Sequence, residues 1–210
     1  MSGLKIPYLK QLTSAGSMDA AELLMSNGAL IRIDKINWAD FPAIIDTSAY
    51  TGYSNDYLWI HYVVRNETIR AVCRQDQEPV WQDSCVEFFL KQGDNYRNFE
   101  FNCLGVCLSA NGPGRNGREP LATESLSRIL RFPSLKIESI TNENVVSDWS
   151  LTVAIPLPLI GIKAGERFWA NFYKCGDETK APHYISWSPI VTSSPDFHRP
   201  EYFALAELEQ

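Results

Sequence analysis

Short segments rich in aromatic and β-branched residues recur along the chain, and stretches that contain Gly, Pro or Asn separate them. Several segments alternate apolar and polar residues with a period of two, as a strand with one buried face does. The separators KQGDN, NGPGRNG, TNEN and KAGER are typical of turns. Many short strands and tight turns predict an all-β fold, a sandwich of two antiparallel sheets of jelly-roll or immunoglobulin-like type. The predicted strands are ALIRIDKI, YLWIHYVV, TIRAVCR, SCVEFFLK, NFEFNCLGVCLSA, SLKIESI, WSLTVAIP, RFWANFYKC, HYISWSP and PEYFALAELE.

Two segments depart from the strand pattern. SMDAAELLMSN, residues 17–27, predicts a short helix with Ser17 as its N-cap and Asp19 in its first turn. Residues 1–28 are therefore expected to form an N-terminal extension that contains this helix. REPLATESLSRILR could be a helix or a long loop. No repeat, low-complexity tract or second boundary interrupts the pattern, so residues 1–210 are predicted to form a single domain.

Charge and hydropathy exclude two classes of partner. The formal net charge is -6 and no run of Lys or Arg occurs, which argues against nucleic acid as a ligand. No apolar run approaches the roughly twenty residues of a membrane span, and the first residues lack the apolar core of a signal peptide. We therefore expect a cytoplasmic protein, or a periplasmic or extracellular one if a leader has been removed.

The chain has five cysteines, an odd number, and most lie inside apolar strand patterns. A free cysteine in such a place behaves as a small buried apolar residue. We expect reduced thiols and a reducing compartment. The pair Cys103 and Cys107 lacks the further Cys or His residues that would complete a four-ligand metal site, so it is predicted to be structural.

The segment WQDSCVE, residues 81–87, places an indole and two carboxylates where a strand begins. Strand alternation over residues 84–91 directs Glu87 away from the apolar core face. In the following strand the same rule places Glu100 and Asn102 on one face, and the short turn between the strands predicts a hairpin. Carboxylates, an amide and an indole on one surface are typical of sugar recognition, in which a ring stacks on an aromatic side chain.

The six tryptophans are not equivalent. Trp81 precedes its strand and adjoins acidic residues, which favours a functional side chain over a core one. Trp59, Trp149 and Trp169 lie within strand patterns and are predicted to be packing residues. Trp187 fits the core and the edge of a site equally well.

Several polar residues near these segments have a structural interpretation. Asp83, followed by Ser84, is predicted to accept hydrogen bonds from backbone N–H groups. His183 has aromatic and proline neighbours and is predicted to be a hydrogen-bonded structural histidine. His198 is similar, but its position beside Phe197 gives it a share in the candidate site.

Six segments together resemble the family 9 carbohydrate-binding modules, more exactly a compact family-9-like branch with a DOMON-like β-sandwich. They are NDYLWIHY, VWQDSCVEFF, NFEFN, NFYKCGD, HYISWSPI and PDFHRPEYF, which span most of the chain, and the second is the most specific. The resemblance implies a non-catalytic module that binds a sugar or a polysaccharide chain end such as cellulose or xylan. It also implies plant polysaccharide catabolism, a separate polysaccharide-degrading enzyme as partner, and a structural calcium ion.

The resemblance also assigns roles to residues. It makes Trp81 one wall of an aromatic clamp, Phe197 the opposite wall, and Glu87 an acceptor for sugar hydroxyls. Glu100 stands where the family has a sugar-binding arginine, and Tyr173 stands where it has a glutamine, so the ligand could differ from a simple cellulose or xylan end. The predicted ligand-binding residues are Trp81, Glu87, Glu100, Asn102, Tyr173, Phe197 and His198.

Two other functions fit the same residues. Glu87 and Glu100 could be the acid and nucleophile of a xylanase-related glycoside hydrolase, which needs carboxyl groups about 5 Å apart for retention or up to about 9.5 Å for inversion. An exposed aromatic patch could instead bind a partner protein. The small sandwich favours the non-catalytic module, because catalysis requires a cleft that excludes water.

The calcium ion that the resemblance implies needs converging oxygen atoms. Asp40, Asp46, Asp56 and Asp177 lie in predicted loops where such oxygens could converge. None of them has the spacing of a dedicated calcium loop. The sequence leaves the metal ligands undetermined.

Overall fold

A computed structural model describes residues 3–13, 16–136 and 146–210. Within these ranges the chain forms two β-sheets, which confirms the predicted all-β sandwich. The strands are β1 (Leu4–Ile6), β2 (Ala29–Arg32), β3 (Lys35–Ile36), β4 (Asp46–Tyr53), β5 (Tyr57–Thr68), β6 (Cys85–Gln92), β7 (Asn95–Asn102), β8 (Cys107–Gly112), β9 (Glu119–Pro120), β10 (Leu130–Pro133), β11 (Val146–Pro156), β12 (Arg167–Cys175), β13 (Tyr184–Ser186) and β14 (Ala204–Leu208). The helices are α1 (Ser17–Asn27), α2 (Thr123–Leu126) and α3 (Leu157–Ile160), with 3-10 turns at Lys10–Thr13, Val80–Gln82 and Pro200–Tyr202.

The two sheets differ in size. The larger has the strand order β1-β14-β12-β6-β7-β8-β9, and β13 joins β12 to β3. The smaller has the order β10-β11-β5-β4-β2. The strand pairings within the described residues are antiparallel except for β1 with β14.

The main core lies between the sheets. Val86, Phe88 and Leu90 of β6 point into it, as the alternation predicts, and pack in one cluster with side chains of β5 such as Tyr62. Burying each large apolar side chain stabilises the fold by roughly 1.5–3 kcal/mol. The other face of β6 is buried as well, because Phe89 packs in a second cluster under the loops that cover the larger sheet. This second layer surrounds the candidate site.

Two predicted strands need correction, and one strand was not predicted. TIRAVCR is not a strand, because β5 ends at Thr68 and the following backbone bonds to side chains instead. NFEFNCLGVCLSA is two strands, β7 and β8, joined by a turn in which Gly105 has φ of 81°. The strand β4 was not predicted, because DTSAYTGY is small and polar. The predicted strand SLKIESI and the turn TNEN lie largely or wholly outside the described residues.

The predicted helix has the expected bounds, but its cap differs. Gly16 is the N-cap and makes no side-chain hydrogen bond, so the prediction of Ser17 as the cap is wrong. Ala20 and Leu24 are buried and pack against Trp59 of the smaller sheet. The helix therefore covers the outer face of that sheet.

REPLATESLSRILR forms neither a long helix nor a long loop. It contains β9, the single turn α2 and the start of β10. Leu126 and Ile129 are the buried residues that anchor it to the main core. Among the described residues, no helix has both the length and the apolar character needed to cross a membrane.

The predictions for tryptophan are partly correct. Trp59 and Trp149 are buried, as predicted. The prediction for Trp169 is wrong, because its side chain is 51% exposed. It points to the outer face of the larger sheet, beyond the covering loops. Trp187 is half-buried and packs edge-on against Phe172, with ring centroids 5.8 Å apart, so it belongs to the core margin.

The cysteines agree with the expectation of reduced thiols. All five are free and buried. Burial raises the pKa of the Cys85 thiol to about 12 and that of the Cys73 thiol to about 11. These groups remain protonated at neutral pH and act as apolar filling.

Candidate functional site

A pocket of about 100 Å³ opens on the outer face of the larger sheet. It brings together five of the seven predicted ligand-binding residues, namely Trp81, Glu87, Glu100, Phe197 and His198. Acidic and aromatic side chains predominate in its lining. The remaining lining residues are Arg115, Cys175, Asp177, Tyr184, Pro195 and Asp196.

Glu87 and Glu100 form a pair at the floor of the pocket. They are directly opposite each other in β6 and β7, and each is only 2% exposed. Glu87 Oε1 accepts a hydrogen bond from the Cys175 thiol at 3.1 Å, and Glu100 Oε1 accepts one from Asn98 Nδ2 at 2.7 Å. The Oε2 atom of each carboxyl is buried without a partner among the described residues. Such an atom is costly unless a ligand or water satisfies it, so the pair can accept two hydrogen bonds from a ligand.

The two carboxyl groups compete for protons. Burial raises the pKa of Glu87 well above its ordinary value, and the neighbouring Cys175 and Glu100 add to this effect. Burial also raises the pKa of Glu100, to about 7, although the Asn98 hydrogen bond and the Arg118 charge oppose it. Without a ligand, the pair therefore retains a proton near neutral pH.

Trp81 lies at the rim of the pocket. Its side chain is 38% exposed, whereas the preceding Val80 is fully buried and anchors the 3-10 turn. The Trp81 carbonyl accepts a hydrogen bond from the Asp177 N–H at 3.2 Å, which ties the turn to the loop after β12. The backbone of Trp81 is thus held in place, and its side chain lines the pocket while remaining partly exposed.

The opposite aromatic wall is more deeply buried. Phe197 is 8% exposed and stacks on Tyr173, with ring centroids 4.2 Å apart and planes inclined by 12°. Tyr184 contacts it edge-on at 6.1 Å. The pocket therefore has one broad aromatic surface at Trp81 and a narrow one at Phe197.

Two predicted ligand residues do not reach the pocket. Tyr173 is fully buried beneath Phe197 and donates its hydroxyl hydrogen to the Phe197 carbonyl at 3.2 Å, so it supports the wall. Asn102 is fully buried as well. Its Nδ2 donates to Asp83 Oδ2 at 3.0 Å, and its Oδ1 accepts from the Val106 N–H at 3.0 Å. Its hydrogen bonds organise the turn after β7.

His198 lines the pocket as a neutral imidazole. A hydrogen bond of 2.9 Å joins its Nδ1 to the Tyr96 hydroxyl, and its ring packs 5.1 Å from Phe89. Burial, together with the nearby Arg118 and Arg115 charges, lowers the pKa of His198 to about 3. The side chain can therefore donate or accept one hydrogen bond but brings no charge to the site.

The predictions of structural roles for Asp83 and His183 are confirmed. Asp83 accepts hydrogen bonds from the backbone N–H groups of Val72 and Cys73, both at 2.9 Å. His183 is buried, and its Nε2 bonds with the Lys174 ammonium at 2.9 Å. Neither residue lines the pocket.

Sequence reasoning missed most of the loop residues that line the pocket. Asp177 and Tyr184 come from opposite ends of the loop between β12 and β13, and Tyr184 hydrogen-bonds the Asp177 carboxyl. Burial raises the pKa of Asp177 to about 6. Arg115 and Asp196 lie in two further loops and form an ion pair at 3.3 Å. Asp177, Tyr184 and Asp196 lie in the segments NFYKCGD, HYISWSPI and PDFHRPEYF, which contribute to the resemblance, whereas Arg115 lies in none of the six.

The described residues contain no cluster of carboxylates that could hold a calcium ion through side chains alone. Within residues 3–13, 16–136 and 146–210, one group of three possible side-chain ligands occurs, formed by Cys85, Glu87 and Cys175. Calcium takes six to eight oxygen ligands, and two protonated thiols supply none. Asp40, Asp46, Asp56 and Asp177 form no such group.

Basic side chains already neutralise other carboxylates that could serve calcium. Asp76 Oδ2 accepts from Arg131 at 2.9 Å, and Glu67 Oε1 accepts from Lys174 at 2.7 Å. We expect treatment with excess EDTA to leave the melting temperature unchanged. Differential scanning calorimetry with and without EDTA measures this, and metal analysis of the protein is the control. A fall in the melting temperature together with released calcium would contradict this expectation.

Comparisons with known proteins identify a matching family and similar solved structures. The model of carbohydrate-binding family 9 matches residues 18–208. A candidate carbohydrate-binding protein from Bacteroides uniformis ATCC 8492 has a similar structure, with 32% identity and a TM-score of 0.87 over 99% of this chain and 100% of that one. No curated protein matches the sequence.

Two crystal structures of a family 9 module from Caldicellulosiruptor kristjanssonii share the fold at 12% identity. The complex with cellotriose has a TM-score of 0.64 over 98% of this chain and 93% of that one. The complex with glucose has a TM-score of 0.60 over 98% and 95%, respectively. The family match covers nearly the whole length, and this chain therefore belongs to carbohydrate-binding family 9.

Proposed function

We propose that this chain is a non-catalytic module that binds one saccharide unit, or the end of a saccharide chain, in the pocket at Trp81. The observation that carries the proposal is the carboxyl pair Glu87 and Glu100, whose buried Oε2 atoms have no partner among the described residues and which lines the same pocket as the exposed Trp81 side chain. Membership of the family and the Bacteroides uniformis relative support it.

The geometry suits a sugar ring. A pyranose presents an apolar face that can stack on the Trp81 indole, while hydroxyls at its edge donate to Glu87 and Glu100. The small cavity, about 100 Å³, suits a terminal unit better than an internal segment of a polymer. Xylan or cellulose as the polymer, and a separate polysaccharide-degrading enzyme as a partner, remain predictions.

The carboxyl pair does not favour a glycoside hydrolase. In such an enzyme the two carboxyl groups flank the scissile bond, because one protonates the leaving group while the other acts on the sugar carbon. Glu87 and Glu100 are direct cross-strand neighbours on the same face of a sheet, so they approach a ligand from one side. This arrangement suits paired hydrogen bonds to adjacent hydroxyls.

A binding and cleavage assay tests the proposal. We expect a glycan array to detect binding of the purified chain to a defined saccharide. Prolonged incubation with xylan, cellulose and pectic oligosaccharides should release no shorter product. Cleavage that disappears in Glu87→Gln would contradict the proposal and favour the hydrolase. Absence of binding to every saccharide would favour a protein partner.

Trp81→Ala is expected to weaken saccharide binding by roughly 1–3 kcal/mol, the scale measured for loss of an aromatic stacking partner. The melting temperature should change little, since the indole is 38% exposed. Isothermal titration calorimetry measures the affinity. Trp169→Ala is the matched control, because this tryptophan is 51% exposed on the same sheet but outside the pocket. Equal losses of affinity in both variants would place the binding surface elsewhere.

A further inference from the structure

The charges at the floor of the pocket are not balanced. Glu87, Glu100 and Asp177 all line it, and the one basic lining residue, Arg115, pairs with Asp196 instead. Arg115 is also largely exposed, so its charge is well solvated. The floor thus has an excess of acidic groups.

The Arg118 charge offsets part of this imbalance, but Arg118 reaches Glu100 only through Asn98. Arg118 donates to Asn98 Oδ1 at 2.7 Å, and Asn98 in turn donates to Glu100 Oε1 at 2.7 Å. This chain of hydrogen bonds ends on Oε1 and leaves Oε2 of Glu100 unpaired. The Oε2 atom of Glu87 is also unpaired, and both side chains are 98% removed from solvent. Two pocket-lining carboxyl groups therefore each have one unpaired oxygen, and neither forms an ion pair within the part of the chain that the structure describes.

A purely neutral ligand satisfies such a pair poorly. Without a ligand, the retained proton limits the cost of burying the pair, and a hydroxyl group supplies a hydrogen bond but no positive charge that could replace this proton. An ammonium group supplies both, because it carries a positive charge and three donors on one atom. One ammonium can therefore bond with both Oε2 atoms at once.

The aromatic lining suits the same ligand. Trp81 at the rim can stack on the apolar face of a pyranose while the amine of that ring points to the floor. A saccharide with a free amine would thus match both the aromatic rim at Trp81 and the acidic floor at Glu87 and Glu100.

We infer that the pocket selects an amino sugar, that is, a pyranose with an unacetylated, protonated amine that binds between Glu87 and Glu100. The inference rests on the proposed function, because it names the ligand class of the same site. It adds a charge preference that distinguishes this pocket from one built for neutral sugars.

Matched sugars test the inference. Isothermal titration calorimetry at pH 7 would compare glucosamine, galactosamine, mannosamine and 6-amino-6-deoxyglucose with their parent hexoses. The N-acetyl forms of the first three keep the ring but lose the charge. We expect at least one amino sugar to bind about 10-fold more tightly, or more, than both its parent and, where it exists, its N-acetyl form.

Variants identify the residues that bind the ammonium group of the ligand. In the double variant Glu87→Gln/Glu100→Gln, the ratio of the amino-sugar affinity to the parent affinity should fall to about one, because the amides keep the shape without the charge. Trp81→Ala should lower the affinity for the amino sugar and for its parent hexose equally, so the ratio of the two affinities is preserved. Glu119→Gln, at an exposed position outside the pocket, is the matched control and should leave the ratio unchanged. Thermal melting verifies that each variant is folded.

The possible failures are distinguishable. If parent hexoses bind as tightly as every amino sugar, the charge preference is overturned and the saccharide function stands. If no saccharide binds, both are overturned. If cyclohexylamine binds as tightly as glucosamine, the sugar ring contributes nothing and the amino-sugar inference is overturned. If the double variant keeps the preference, other residues bind the amine and the assignment to Glu87 and Glu100 is wrong.

Discussion

Lys174→Met is expected to lower the free energy of unfolding by roughly 3–5 kcal/mol, the cost of breaking a buried ion pair by removing one partner. Lys174 and Glu67 are almost fully buried, and the ammonium donates to Glu67 Oε1 at 2.7 Å. The same ammonium donates to the Cys175 carbonyl at 2.7 Å and to His183 Nε2 at 2.9 Å. All donors of the ammonium group are therefore satisfied inside the protein.

The pair also joins the two sheets, since Lys174 belongs to β12 and Glu67 to β5. Trp149 Nε1 donates to Glu67 Oε2 at 2.7 Å, so both carboxylate oxygens are bonded. In Lys174→Met the Glu67 carboxylate would remain in the interior without a cation. It would then have to take up a proton or admit water, and either response costs stability.

Urea unfolding of three variants measures the effect. Lys5→Met removes an ion pair with Glu207 in which the lysine is 52% exposed, and it should change stability by about 1 kcal/mol or less. Lys174→Met/Glu67→Gln should recover part of the loss, because the amide carries no charge and can still accept from Trp149. A single Lys174→Met variant as stable as the wild type would contradict the importance of the pair.

Glu100→Gln is expected to raise the free energy of unfolding above pH 7 by roughly 3–4 kcal/mol, because the amide stays neutral where the buried carboxyl group must ionise. Burial raises the pKa of Glu100 to about 7 in the folded protein. The folded state therefore binds the proton more tightly than the unfolded state. The stabilisation from this proton is complete below the unfolded pKa of about 4.3, declines as the pH rises and is lost above about pH 7.

The test compares urea unfolding of the wild type and Glu100→Gln at pH 5 and pH 8. The wild type should lose stability between these values, and the variant should lose less. The variant should retain part of the dependence, because burial also raises the pKa of Glu87 and of Asp177. Glu119→Gln, at an exposed position, should follow the wild type. An identical pH dependence in Glu100→Gln and the wild type would show that Glu100 titrates normally.

Local patterns were sufficient to predict part of the fold. The alternation in β6 and β7, together with the short turn at Gly93, predicted both the core face and the pairing of Glu87 with Glu100. The strand β4 was not predicted because its own sequence has no strong apolar alternation. It forms because it pairs with β5 and β2 on either side. TIRAVCR failed for the opposite reason, since tertiary hydrogen bonds to Asp83 and Ser84 override its strand propensity.

The candidate site, like the fold, was predictable only in part from local patterns. The pattern at Glu100 and Asn102 placed both on the outward face, but it did not distinguish a pocket residue from one used by a backbone turn. The resemblance placed Tyr173 in the site, but in the structure Phe197 covers it. Whether a side chain reaches a ligand depends on what lies above it, which alternation does not encode.

The sequence by itself determined the strand alternation, the neighbouring carboxyl groups and the family, because each depends on residues close together in the chain or on a motif within it. Only the tertiary structure decided the burial of Glu87 and Glu100, the thiol and amide that bond their Oε1 atoms, and the Oε2 atoms left free. These properties arise when loops distant in sequence, such as the one that contains Asp196 and Phe197, fold over the larger sheet and exclude water. Desolvation is a sum over all surrounding atoms, so it raises the pKa of a carboxyl group without leaving a local signal in the sequence.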